Sequence, residues 1–249
     1  MLSAIRRTFS TGVCGTSSAQ TGEAPFSVRE LLKNVYQVHF SNQGDLASTF
    51  LRFQEYHESP KFGGAVFTRQ EFEEWYAGEN GGKFTYLTDW SGFNLPSSVL
   101  TPFVDGKFDP LSAEERGLVD HFVREQNLSP GESREEHHPF YLIGTYGKFG
   151  FADKSTVKHE LCHALFHLDQ GYNEQVKEVL KDKDLTKFEA YLRKLGYGDN
   201  VLLDEINAYV VTDAWIFRAA KVPPKPWKET SKALQDLYLE AYNGRWCLT

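Results

Sequence analysis

Two histidines stand four positions apart in His159-Glu160-Leu161-Cys162-His163, an H-E-x-x-H pattern, and the stretch around them is almost wholly apolar: Leu161, Cys162, Ala164, Leu165, Phe166 and Leu168. With Asp153 or Ser155 as candidate caps, this run predicts a buried helix reaching about Asp169, with Gly171 placed to stop it. Residues i and i+4 of a helix project from one face, one turn apart. A buried helix cannot leave two imidazoles and a carboxylate without partners, because removing them from water unpaired is costly. The chain must therefore pair these groups or coordinate them. Both imidazoles can converge on one Zn²⁺ at ~2.0–2.1 Å. Glu160 lies next to that face, where its carboxylate can take a proton from a metal-acidified water and return it to a leaving amine.

A catalytic zinc takes three protein ligands and keeps one position open. The sequence offers three candidates for the third. His167 is one turn beyond His163, but a straight helix rotates it by about 80° from His159. Asp169 requires the chain to bend where Phe166 stands instead of Gly. Glu205 belongs to a later helical stretch, Leu203-Asp-Glu-Ile-Asn-Ala-Tyr-Val210, one turn before Tyr209 on the side where Ala208 lets two helices approach. That position favours Glu205 over its neighbour Asp204. Asp213, a further turn along, is a candidate orienting partner for a ligand histidine.

The rest of the chain predicts an α+β protein. Helical periodicity runs over Val28–Val38 and Leu46–Glu58, and Thr68–Tyr76 is a short helix with Thr68 and Glu71 spaced as a capping box. Phe84–Leu87 reads as a strand after the Gly81-Gly82 turn, while 88–96 is too rich in turn formers for a regular element. Ser112–Gln126 is helical and 129–138 is a polar surface loop, in which the histidines of His137–Pro139 are solvated. Phe140–Tyr146 has the β-branched and aromatic content of a strand. Two short helices near Asn173–Lys181 and Thr186–Leu195 follow, then a long one from about Asn200 to Ala220 and a last at Thr230–Tyr242. The division expected is a leader over 1–22, an α/β region over 23–139 and a metal-binding region over 140–249.

Charge narrows the range of partners. With 27 Lys+Arg against 34 Asp+Glu the net charge is −7. Such a chain gains little from phosphate counterion release, which argues against nucleic acid or an anionic membrane surface. No apolar run approaches the ~20 residues of a membrane span, and three cysteines cannot make a disulfide framework. Before Glu23 the only charges are Arg6 and Arg7, with Leu2, Ile5 and Phe9 at helical spacing. That is the pattern of an organelle-targeting presequence, mitochondrial first and plastid second, with an address-free tail in the cytoplasm as the alternative.

In His159, Glu160, His163 and Glu205 the chain resembles the zincin metallopeptidases, in the gluzincin arrangement of H-E-x-x-H on one helix and a Glu on a later one. The likeness covers about 140–220. It implies an α+β fold with a zincin-like catalytic half, one Zn²⁺ per chain held by His159, His163 and Glu205, and Glu160 as general base. It implies a peptidase acting on peptides or unfolded proteins, the alternative being a zinc-binding or peptide-binding protein without turnover. In zincins a strand beside the active-site helix pairs with substrate. By that likeness Phe140–Tyr146 takes the role, with Tyr146 at the substrate, or else is an interior strand. Tyr209, His167, Tyr172 and Tyr146 are candidates to stabilise the oxyanion, Tyr209 foremost. Two departures stand out: the interval from His163 to Glu205 is long, and Tyr209 occupies the place where thermolysin-like enzymes carry an Asp. The aromatic group Trp75, Tyr76, Phe84, Tyr86, Trp90 and Phe93 is expected in the core.

Overall fold

A computed structural model describes residues 25–126, 139–147 and 154–244. The leader expected at 1–22, the polar loop at 129–138 and the candidate cap Asp153 lie outside the described residues. The fold is α+β, a four-stranded mixed sheet against helices.

Strands β1 (Phe26–Leu32) and β2 (Val35–Phe40) form an antiparallel hairpin closed by Lys33-Asn34, with Leu32 opposite Val35. This corrects the helix expected over Val28–Val38. Apolar residues at 28, 31, 32, 35 and 38 fit a helical stripe, but Asn34 adopts φ 65°, a left-handed conformation that Asn tolerates and that reverses the chain. Strand β3 (Phe93–Pro96) arises within the stretch expected to be irregular, and β4 is Tyr141–Tyr146. The order is β1-β2-β4-β3, with β4 parallel to β2 and antiparallel to β3. The strand from the expected metal-binding region thus sits between two strands of the preceding region.

Alternation along the strands gives the sheet two unlike faces. Against one lies α1 (Gln43–Glu58), capped by Asn42, whose side chain accepts from Asp45 N at 2.9 Å. Phe50 of α1 meets Phe40 and Phe93 of the sheet, and Gly144 gives it room, since a Cβ there would stand 2.8 Å from Leu46 Cδ1 and 3.0 Å from the Phe50 ring. The other face is polar although buried. Gln37 Nε2 donates to Thr145 Oγ1 at 2.7 Å, His39 Nδ1 lies 2.9 Å from the same oxygen, and Asn94 and Tyr141 continue the row. Helix α6 (Lys154–Leu168) packs on β3 and β4, with Tyr141 and His167 rings 5.5 Å apart.

Helix α2 (Arg69–Glu79) starts with the expected Thr68/Glu71 capping box. The strand expected at Phe84–Leu87 is instead the single helical turn α3 (Tyr86–Asp89), because Asp89 gathers the hydroxyls of Tyr76 and Thr85 while Tyr86 is buried among aromatic rings. Tyr76, Tyr86, Trp90 and Phe93 are core residues. After α4 (Thr101–Val104), helix α5 (Ala113–Glu125) carries a second capping box from Ser112 and Glu115, and buried Arg52 holds Glu115 through Nε at 2.7 Å.

Two helix boundaries differ from expectation. Asp169, not Gly171, ends α6: its carboxylate accepts from Tyr172 N at 3.0 Å and caps α7 (Gln170–Leu180), which contains Gly171. After α8 (Thr186–Leu195), the single helix expected over 200–220 is broken into α9 (Leu202–Thr212) and α10 (Trp215–Ala219) at extended Asp213. Thr212 bonds back to Ala208 O at 2.6 Å, competing with the helical ladder at that end. Helix α11 (Lys228–Gly244) covers α7 and α9. Among the described residues no helix is long and apolar enough to cross a membrane.

Candidate metal centre

Helix α9 lies against α6, with Ala208 fully buried. This contact brings Glu205 to the histidine pair. Glu205 Oε2 is 3.7 Å from His159 Nε2, and Glu205 Oε1 is 3.5 Å from His163 Nε2. A tetrahedral zinc with ~2.0–2.1 Å bonds sets its ligand atoms about 3.3–3.5 Å apart, near the two distances from Glu205 to the histidines, and one ligand atom from each of the three residues lies within 4.8 Å of the others. All three residues are 0–2 % exposed. His163 Nε2 and both Glu205 oxygens have no hydrogen-bond partner, which is the condition a cation would relieve. The residues fit a zinc ion.

The far side of each imidazole is held. His163 Nδ1 is 2.9 Å from Asp204 Oδ2, so the ring donates from Nδ1 and turns Nε2 toward Glu205. His159 Nδ1 is 3.3 Å from Thr212 Oγ1. That hydroxyl spends its proton on Ala208 O and is left to accept, which again puts the ring proton on Nδ1 and a lone pair on Nε2. Adjacent residues Asp204 and Glu205 thus divide two tasks on His163, one behind the ring and one in front.

Charge in this pocket is tightly coupled. Burial works to lower the His163 pKa, but the Asp204 and Glu205 carboxylates outweigh it and push it up to about 10. Burial raises Glu205 well above the usual carboxylate range, against the pull of His163. The titrations of His163 and Glu205 are therefore coupled, each shifted by the other's charge. Glu160 is raised to about 7 by burial, opposed by His163 and Asn94. Glu58, at the end of α1 with its side chain 5 % exposed, adds a further negative field on Glu160 and Glu205.

Glu160 itself is not among the three donors. Its Oε2 accepts from Asn94 Nδ2 at 2.6 Å, while Oε1 has no hydrogen-bond partner. Gly92 approaches that oxygen closely: a Cβ there would stand 3.3 Å from Oε1.

The other sequence candidates stand elsewhere. Asp169 is the cap of α7, His167 is exposed beside Tyr141, and Cys162 is buried; none joins His159, His163 and Glu205. Tyr209 packs its ring on His159 at 4.5 Å, and its hydroxyl lies 3.2 Å from that of Tyr197. Tyr172 is hydrogen-bonded with Asn207. Asp213 stands at the C-cap of α9, directly after Thr212. Strand β4 has β2 on one side and β3 on the other, so its backbone is closed to an added substrate strand, and half-buried Tyr146 at its end faces Phe40 across the pairing. The edge strand beside α6 is β3. Asn94 and Thr212 are the contributors that sequence reasoning missed, and Asp204, weighed there only as a ligand, stands behind His163 instead. Asp204 and Thr212 lie within the expected helix and could have been found by asking what holds each Nδ1.

Compared with models of protein families, with curated proteins and with solved structures, the chain matches none of them.

Proposed function

We propose that this chain is a zinc-dependent metallopeptidase of the zincin type, gluzincin-like in its donor set, which hydrolyses peptide bonds in peptides or unfolded proteins with one Zn²⁺ per chain. What carries the reading is the convergence of three buried donors with a fourth carboxylate held beside them and not among them. Among the described residues no further His, Cys, Asp or Glu joins the three, which is the number of protein ligands a catalytic zinc takes. His159, His163 and Glu205 would hold the ion; when bound it supplies Lewis acidity, polarising a carbonyl and acidifying a water toward pKa ~7.

The protein's own part falls to Glu160. Its Oε1 accepts the proton of the attacking water and gives it to the departing amine nitrogen, so the carboxylate ends the cycle as it began. A carboxylate raised to about 7 is suited to both halves of that exchange near neutral pH. Thr212 and Asp204 keep the two imidazoles in the tautomer that presents Nε2.

Glu160→Gln is the test. The amide is nearly isosteric but cannot take the proton, so zinc content stays at one per chain while turnover of a diverse peptide library falls ~10²–10⁴-fold. Loss of zinc in this variant would make Glu160 a ligand and overturn the assignment. The near-complete burial of all four residues favours a second reading, a zinc-holding protein whose site stays closed. It takes over if the wild type holds one zinc and cleaves nothing in the library.

A further inference from the structure

We propose that Asn94, on edge strand β3, is the positioning residue of Glu160, fixing which of its two oxygens faces the reacting atoms. Its kinetic consequence rests on the peptidase reading; its geometry rests on the hydrogen bonds alone.

A glutamate on a helix can exchange Oε1 and Oε2 by rotating its last torsion, which is broad. An amide beside it restrains that rotation only if the amide's own direction is set. Here it is set by Tyr141, whose hydroxyl donates to Asn94 Oδ1. Burial, foremost, holds the Tyr141 hydroxyl far above its ordinary pKa, so it keeps the proton it donates. Asn94 must then turn Nδ2 toward Glu160, where it lies 2.6 Å from Oε2. An amide N–H only donates, so Oε2 is committed as an acceptor and the exchangeable proton belongs on Oε1. That oxygen is the one without a hydrogen-bond partner, and Gly92 is the residue that comes close to it, where a Cβ would stand 3.3 Å away.

The sheet supplies the rigidity. Asn94 pairs with Ile143 across the β3–β4 ladder, and Tyr141 is the diagonal neighbour on the same face. Asn94 is 1 % and Tyr141 4 % exposed, so bulk water cannot stand in for either partner. The relay Tyr141–Asn94–Glu160 therefore ties a side chain of α6 to two hydrogen-bonded strands. It holds the carboxylate in place before any substrate arrives.

The experiment compares Asn94→Ala and Tyr141→Phe with wild type, each checked for one zinc per chain. Asn94→Ala is expected to lower kcat at least tenfold with KM within twofold. Tyr141→Phe, which keeps the amide but frees it to turn, should show the same split with a smaller drop, and it decides the matter if Asn94→Ala does not fold. A folded, zinc-loaded Asn94→Ala with kcat within twofold of wild type overturns the proposal, as does an unchanged Tyr141→Phe when it is the only folded variant. If the wild type shows no turnover, the peptidase reading fails by itself. The positioning is then read from the ¹⁵N side-chain amide of Asn94. Slowed hydrogen exchange that is lost in Glu160→Ala upholds it, and exchange that Glu160→Ala does not alter overturns it.

Discussion

Each group of the candidate centre is held by a neighbour: Asp204 and Thr212 hold the backs of two imidazoles, and Asn94 holds one oxygen of Glu160. Removing one of three donors should cost both a bond and the geometry of the rest. Glu205→Ala is accordingly expected to lose zinc on dialysis, while Asp169→Ala and His167→Ala keep it; the reverse pattern would sink the ligand assignment. The Asp204 and Glu205 carboxylates outweigh burial and favour the protonated form of His163, and that proton must leave when a cation takes Nε2. Zinc affinity should therefore rise with pH through the neutral range, by roughly tenfold per pH unit for each proton released, and zinc binding should acidify an unbuffered solution. A pH-independent affinity between 6 and 8 would contradict the raised pKa of His163. At this scale the histidine pair was legible because its spacing is local, and Asn94 was not, because it reaches Glu160 from 66 positions away through a strand pairing.

Elements whose ends are written in local chemistry were legible before the fold was known. The Thr68/Glu71 box closes through backbone groups three residues apart, and the structure has it, with a second of the same kind at Ser112/Glu115 where only the helix was expected. The hairpin was misread because five apolar residues satisfied a helical stripe and only Asn34 argued otherwise. The turn at Tyr86 was misread because aromatic burial overrode its β propensity. Gly144 belongs to this class: nothing in Ile143-Gly144-Thr145 says why a strand should carry a glycine, yet α1 packs where its side chain would be. Gly144→Ala must displace Leu46 or the Phe50 ring, and Phe50 is itself packed against Phe40 and Phe93. Overpacking of this kind costs about 1–3 kcal/mol. In a domain of this size each kcal/mol lowers Tm by roughly 2–4 °C. A thermal melt should show a drop of a few to about ten degrees, and an unchanged Tm would mean that α1 does not press on the sheet as described.

For the molecule as a whole, the order β1-β2-β4-β3 matters more than any single contact. Strand β4 leads into the helix that carries both histidines, yet its two neighbours, β2 and β3, come from the chain before residue 100. The buried apolar residues likewise form one cluster from Leu32 to Tyr238. The candidate metal centre repeats the pattern, since Glu160 accepts from Asn94 and feels Glu58 of α1. A fragment of residues 140–249 would keep all three donors but lose both strands beside β4 and the amide on Glu160. It is therefore expected not to fold alone, despite holding the whole H-E-x-x-H helix and Glu205. The full chain, by contrast, should unfold in one cooperative transition that zinc displaces upward. A ligand that binds only the folded state adds about 4 kcal/mol at 1,000 times its Kd. Calorimetry of the full chain with and without zinc, beside circular dichroism of the fragment, tests both statements. If the fragment gives a cooperative melt that zinc raises as far as it raises the full chain, the centre does not depend on the sheet, and the argument from shared strands fails.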